Sequence, residues 1–187
     1  IEIPGKLFIR APFHAQHDSL PEVIILPQMS FGTGHHETTY LMASEMFETD
    51  LTNTRVLDMG CGTGILAILA SKLGASSILA IDIEDWAYRN TLENLELNKT
   101  INNTVEKGSA ELLAGRLFNV ILANINLNVL LNDVKFYSNC LEKGGKILFR
   151  GVFVTDLPKL KAEAEKNGLR FISFKEKNNW MVALFTK

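Results

Sequence analysis

Along this chain, short uninterrupted apolar runs alternate with stretches in which apolar residues recur every three to four positions. The uninterrupted runs are typical of strands that are buried on both faces of a parallel sheet. The spaced pattern predicts amphipathic helices, because one helical face receives a residue at every third or fourth position. Predicted helices cover residues 36–47, 65–73, 85–98, 127–141 and 155–167, the last with Thr155 as N-cap; predicted strands cover residues 7–10, 22–26, 54–58, 77–82, around 105, 117–124, 146–151, 170–175 and 180–186.

This alternation of strands and helices predicts βαβ units, and therefore an α/β fold with a doubly wound, mostly parallel sheet covered by helices on both faces. The last two strands are separated by the polar residues 176–179, which predicts a hairpin and one antiparallel strand. In such sheets, ligands bind at the carboxyl ends of the strands, where the strand order reverses. We therefore expect the functional residues at those strand ends.

The composition is that of a globular protein and excludes several classes. The 187 residues fit one domain, and 47% of them are hydrophobic. The net charge is −2 and no basic stripe is visible, so we expect no direct binding of nucleic acid. No apolar run approaches the roughly 20 residues of a membrane helix. The cysteines Cys61 and Cys140 lie far apart, which suits a reducing, cytoplasmic location and gives no metal-binding spacing, so we expect no metal.

The sharpest motif is a glycine loop between a predicted buried strand and a predicted helix. The strand ends with Asp58, and the alternating glycines Gly60, Gly62 and Gly64 follow. Glycines allow a tight turn and the close approach of a ligand, and the helix N-terminus offers free N–H groups. The G-x-G-x-G spacing differs from the G-x-G-x-x-G fingerprint of dinucleotide-binding proteins. A tight turn without any ligand is the alternative interpretation.

A second acidic residue, Asp82, ends the next predicted strand. A carboxylate at this position can accept hydrogen bonds from both ribose hydroxyls of an adenosine. The alternative is a cap for the following helix, for which Asp85 is better placed. Since dehydrogenases hold their ribose in the same way, Asp82 indicates adenosine without choosing the cofactor.

A glycine-rich segment at residues 30–39, S-F-G-T-G-H-H-E-T-T, precedes the first strand of the predicted sheet. It lacks the Gly-Lys-Ser/Thr ending of a phosphate-binding P-loop. This segment resembles the signature of the PrmA family, bacterial methyltransferases of ribosomal protein eleven of the large subunit. The resemblance extends over nearly the whole chain, through matching motifs at residues 56–68, 81–87, 123–125, 144–145 and 180–184.

The resemblance implies the Rossmann-like, seven-stranded fold of class I methyltransferases and the cofactor S-adenosyl-L-methionine. It implies an N-methyltransferase that modifies lysine side chains or the N-terminal amine of its ribosomal protein. Asn124, at the end of the predicted strand 117–124, matches an asparagine whose carbonyl oxygen orients the acceptor amine; a plain turn residue is the alternative. By the same resemblance, the residues that contact the cofactor or line its site are Phe31, Thr33, Thr39, Asp58, Gly60, Gly62, Gly64, Asp82 and Asn124.

Family members also carry an N-terminal domain that recognises the ribosomal protein, and we expect that domain to be missing from these 187 residues. Residues 1–35 would then form a linker, short strands and a cofactor lid, and residues 36–187 the methyltransferase domain. The sequence departs from the family pattern at His35, Glu37, Asn126 and Arg150, and the last two are expected near the acceptor site.

Several alternatives stay open at this point. A methyltransferase of RNA or of a small amine would use the same glycine loop and Asn124. An NAD-dependent oxidoreductase is disfavoured by the glycine spacing, and a non-catalytic cofactor-binding domain is the alternative from another class. His35 or His36 could relay a proton, or they could only shape their loop. Cys61 is interpreted as a small packing residue rather than a nucleophile.

Overall fold

The structure, a computed structural model, describes residues 1–16, 19–27 and 35–187, without the side chains of His35 and His36. Phe31 and Thr33, two of the predicted cofactor contacts, lie outside the described residues. The helices are α1 (His35–Glu48), α2 (Ile65–Lys72), α3 (Asp85–Leu97), α4 (Leu127–Cys140) and α5 (Leu157–Lys166). The strands are β1 (Glu2–Ile3), β2 (Leu7–Arg10), β3 (Glu22–Ile24), β4 (Arg55–Met59), β5 (Ser77–Asp82), β6 (Asn103–Lys107), β7 (Phe118–Asn124), β8 (Leu141–Phe153), β9 (Arg170–Lys177) and β10 (Trp180–Thr186).

The main sheet has seven strands in the order β6-β5-β4-β7-β8-β10-β9. Strands β4 to β8 pair in parallel, and β10 lies antiparallel between β8 and β9. The predicted hairpin is confirmed: Asn178 and Asn179 form its turn with positive φ angles of 52° and 67°, as a two-residue loop requires. The chain runs from β4 outward through β5 and β6 and returns to the other side of β4 with β7. The strand order therefore reverses between β4 and β7, where ligands bind in doubly wound sheets.

Strands β1 to β3 form a small separate sheet that packs against the same core as the main sheet. Ile3, Leu7 and Val23 are buried together with residues of α1 and α2. Side chains of α3 hold β3 and the residues after it: Asn98 Oδ1 accepts the Ile24 N–H at 2.9 Å, and Asn94 Oδ1 accepts the Leu26 N–H at 2.8 Å. The division of the chain at residue 35 stays a prediction.

Several elements differ from those predicted. Strand β8 begins at Leu141, five residues before the predicted start at residue 146. Its pairing with β7 continues through a register shift there, although the polar and glycine residues at 142–145 are typical of a loop. Thr155 was wrong as N-cap: it lies within the 3-10 turn Val154–Asp156, and the N-cap of α5 is Asp156, whose Oδ2 accepts the Phe153 N–H at 2.9 Å. Strand β1 and the 3-10 turn Ala110–Leu113 were not predicted.

Candidate functional site

Gly60 opens the glycine loop and is in contact with the strand end next to it. Its φ is +74°, and a Cβ there would lie 2.8 Å from the carbonyl oxygen of Asn124 and 2.8 Å from Cγ1 of Ile125. Gly151 approaches the same segment from β8, because its Cβ would lie 2.8 Å from the Ile125 carbonyl oxygen. Gly60 and Gly151 thus let the backbone on both sides pack closely against residues 124–125, just after β7. The missing Cβ of Gly60 thus makes room for the chain's own backbone, and its predicted contact with a ligand stays a prediction.

Gly62 and Gly64 differ from Gly60 in what surrounds them. A Cβ on Gly62 would have nothing within 4 Å, so this face of the loop is open to a ligand. A Cβ on Gly64 would lie 2.7 Å from Cγ2 of Thr91, so this glycine allows the start of α2 to pack closely on α3. Of the three glycines, Gly62 is therefore the one with open space beside its Cα, and the ligand contacts predicted for all three stay predictions.

Polar side chains of α3 hold the outer turn of the loop. The Thr91 hydroxyl donates to the Gly62 carbonyl at 3.1 Å, and Asn94 Nδ2 donates to the Thr63 carbonyl at 2.9 Å. Cys61 Sγ lies 3.4 Å from the Thr91 hydroxyl, and burial raises the pKa of this thiol, which supports its interpretation as a packing residue. Sequence reasoning missed this support, although asparagines recur at every fourth position along α3.

The carboxylate of Asp82 connects the loop to the end of β5. Its Oδ2 accepts the Gly62 N–H at 2.9 Å, and its Oδ1 accepts the Glu84 N–H at 3.0 Å. Each carboxylate oxygen has a second lone pair, so both can still accept a hydroxyl from a ligand. Asp85, the rival for capping, forms an ion pair with Lys107 at 2.7 Å, and no side chain caps α3 at its N-cap residue.

Asp58 lies below the loop and is wholly buried. Its Oδ2 accepts the Ala67 N–H of α2 at 3.0 Å, whereas its Oδ1 has no partner among the described residues. Burial raises the pKa of Asp58 to about 7, although the Ala67 N–H and the charge of Arg150 act in the opposite direction. Its contacts are with the helix rather than with the open face of the loop, so Asp58 supports the site from beneath.

Arg150 is also buried, with 2% of its surface exposed. Its Nη2 donates to the hydroxyls of Thr38 and Thr39 in α1, the second at 3.2 Å, while its Nε lacks a partner within the described part of the chain. Burial lowers the pKa of Arg150 to about 9, against the attraction of Asp58. Thr39, a predicted cofactor contact, is thus joined to the sheet by a residue that sequence reasoning placed near the acceptor.

Asn124 stands at the end of β7, half-buried, and pairs in register with Arg150 on β8. Two residues earlier in these strands, Leu122 and Leu148 belong to the core on the α1 side. Since side chains alternate along a strand, Asn124 and Arg150 face that same side. Asn126 has a structural role, because its side chain accepts the Val129 N–H at 3.2 Å and caps α4.

The predicted site residues that the structure describes thus meet at one edge of the sheet, around the reversal between β4 and β7. The described residues contain no group of three or more metal-ligating side chains. Nor does any helix within the described ranges have the length and apolar character to cross a membrane. The arrangement offers a carboxylate, an open glycine face and an asparagine to one ligand crevice.

Comparison with known proteins gives a consistent result. The model of the family described as "Ribosomal protein L11 methyltransferase (PrmA)" matches residues 1–187. Two relatives called ribosomal protein L11 methyltransferase are 52% identical, from Porphyromonas gingivalis, and 46% identical, from Bacteroides thetaiotaomicron; both matches cover 100% of this chain. The chain spans only 65% and 67% of their respective lengths. A solved ribosomal protein L11 methylase from Lactobacillus delbrueckii subsp. bulgaricus superposes with a TM-score of 0.90 at 27% identity, over 100% of this chain and 97% of that one.

Proposed function

The chain belongs to the ribosomal protein L11 methyltransferase family, and on that premise we propose that it transfers methyl groups from S-adenosyl-L-methionine to amino groups of L11. The observation that carries the proposal is the hydrogen bond between Asp82 and the Gly62 N–H. It sets an acceptor for ribose hydroxyls beside the one glycine of the loop that has open space before it. Both features fit an adenosyl cofactor at the reversal of strand order.

In this proposal, each site residue has a distinct task. Asp82 accepts the ribose hydroxyls, and Gly62 admits the cofactor to the backbone of the loop. Gly60 and Gly64 fix the shape of that loop, because Asn124 and Thr91 occupy the space that a Cβ on each glycine would fill. Asp58 supports the loop through α2. Phe31, Thr33 and Thr39 are proposed as cofactor contacts on the resemblance of their segment to the family signature.

The cofactor supplies an activated methyl group on a sulfonium, so the protein mainly has to position the acceptor. Asn124 is proposed to accept an N–H of the substrate amine with its side-chain oxygen, which turns the nitrogen lone pair toward the methyl group. The amine must be neutral to react, and its remaining proton leaves after transfer. Because L11 is a ribosomal protein, we also propose that the enzyme acts in the cytoplasm.

The proposal is tested first by calorimetry of this chain with S-adenosylmethionine, S-adenosylhomocysteine and NAD. We expect binding of the first two and none of NAD, and NAD binding alone would contradict the cofactor assignment. The second test follows labelled methyl groups from S-adenosylmethionine to purified L11, with ribosomal RNA as the competing acceptor and the full-length protein as enzyme. Label in RNA instead of L11 would favour an RNA methyltransferase, and cofactor binding without transfer to any acceptor would favour a binding domain.

A further inference from the structure

Arg150, near the end of β8, makes a specific set of contacts in the structure. It projects from the end of β8 on the same face as Asn124, its register partner on β7. From there its guanidinium reaches α1, where Nη2 meets the hydroxyls of Thr38 and Thr39. Buried arginines need compensation for lost hydration, so these contacts hold the start of α1 against the sheet.

The direction of these hydrogen bonds carries chemical information. An arginine has only donors, so the hydroxyl oxygens of Thr38 and Thr39 must both accept. The hydrogen of the Thr39 hydroxyl then points away from Arg150 and is available for donation to another acceptor. Arg150 thus makes Thr39 a donor, which suits a ligand group that only accepts, such as a carboxylate.

Two polar atoms at or near Arg150, unused within the described residues, also suit a polar ligand on this side of the sheet. The Nε donor of Arg150 has no partner among the described side chains and backbone groups, although the residue is buried. Asp58 lies on the same side of the sheet and also keeps one oxygen without a partner within the described residues. A buried guanidinium donor and a buried carboxyl oxygen, neither used within the described residues, thus lie on the side of the sheet where α1 packs.

We propose that Arg150 is a positioning residue that, through Thr39, makes the site selective for the carboxylate of the cofactor's amino-acid end. This inference rests on the proposed function, since it presumes that the ligand is S-adenosylmethionine. In this arrangement Asp82 binds the ribose of that ligand, and Thr39, held by Arg150, binds the carboxylate at its opposite end. The expected consequence is a site that discriminates between cofactor analogues by their carboxylate.

The experiment compares two ligands that differ only in this group, S-adenosylmethionine and decarboxylated S-adenosylmethionine. Their dissociation constants are measured for the wild type, Arg150→Met, Arg150→Lys and Thr39→Val. We expect the wild type to bind the decarboxylated ligand about tenfold more weakly, as the loss of one charge-assisted hydrogen bond requires. Arg150→Met and Thr39→Val should each weaken S-adenosylmethionine about tenfold and leave the decarboxylated ligand unchanged, with partial rescue in Arg150→Lys.

A double variant, Arg150→Met with Thr39→Val, should bind S-adenosylmethionine no more weakly than Thr39→Val alone, because Arg150 acts through that threonine. Equal losses for both ligands would overturn the inference, since a merely structural role weakens both alike. If Arg150→Met does not fold, Arg150→Lys and Thr39→Val together decide between these outcomes. A wild type that binds both ligands equally well would overturn the inference and keep the proposed function, whereas a wild type that binds neither would contradict the proposed function itself.

Discussion

The carboxyl ends of β5 and β8 hold opposite charges by different means. At β5, the partly exposed Asp82 is fixed by two backbone N–H groups from nearby loops. At β8, Arg150 is buried and depends on hydroxyls of a helix more than a hundred positions away in sequence. The first arrangement is complete without a ligand, whereas the second leaves a donor unused among the described residues. One side of the site is therefore built from local backbone geometry, and the other from side chains that only tertiary packing brings together.

The largest expected effect tests how rigid the glycine-loop side is. Gly60→Ala forces a Cβ against the Asn124 carbonyl in a backbone conformation that alanine disfavours. We expect a loss of about 4 kcal/mol or more in the free energy of unfolding, measured by urea denaturation. Gly62→Ala is the matched control, because its φ is also positive but its Cβ meets open space; it should lose about 1 kcal/mol. Similar losses in both variants would show that the clash with Asn124 is not what makes Gly60 necessary.

The next effect concerns Asp58, which lies between the two sides. Its pKa is raised to about 7 from 3.8, so the folded protein favours the protonated carboxyl. The stability that comes from protonation is complete below about pH 4 and is lost as the pH rises toward 7. We expect the wild type to lose about 3 kcal/mol across this window relative to Asp58→Asn, which cannot ionise. Denaturation of both proteins from pH 4 to 8 measures the difference, and parallel curves would mean that Asp58 does not titrate there.

Asn124, on β7 between the two sides of the site, is the residue proposed to orient the acceptor amine. Asn124→Ala should reduce the rate of methyl transfer by about 10²-fold, because its contact with the amine matters most in the transition state. Cofactor affinity should change much less than in variants of Asp82. Asn126→Ala is a suitable control, since it removes only the cap of α4 and costs about 1 kcal/mol of stability. Normal turnover in Asn124→Ala would exclude this residue from the mechanism.

The smallest expected effect is on the affinity for S-adenosylmethionine when Asp82 at the end of β5 is changed. Asp82→Ala should weaken S-adenosylmethionine at least about tenfold, because it removes hydrogen bonds to the ribose. The control is Asp85→Ala, which loses an exposed ion pair with Lys107 and should leave the dissociation constant unchanged. Calorimetry distinguishes the two variants, and an unchanged affinity in Asp82→Ala would place the ribose elsewhere.

The sequence predicted the β5 side better than the β8 side, for a physical reason. The glycine loop and Asp82 are local features, in which a few neighbouring residues determine the backbone conformation. The hairpin turn at Asn178, beyond β8, was predicted for the same local reason. The contact of Arg150 with Thr39 joins residues 111 positions apart, and no spacing rule indicates it. The wrong N-cap at Thr155 has a different, local origin, because Asp156 directly after it is also a residue type that is common at N-caps.

The position of β10 between β8 and β9 has a consequence for the order in which the protein assembles during synthesis. Strand β9 leaves the ribosome before β10, yet all its partners in the sheet lie on β10. Until β10 is made, the edge of β8 is open and β9 has no ladder to join, and such exposed edges favour aggregation. Strand β10 therefore has to pair with β8 on one side and with β9 on the other before this part of the sheet is complete. A change that weakens β10 should therefore expose the edges of both β8 and β9 and favour aggregation of the unfinished sheet.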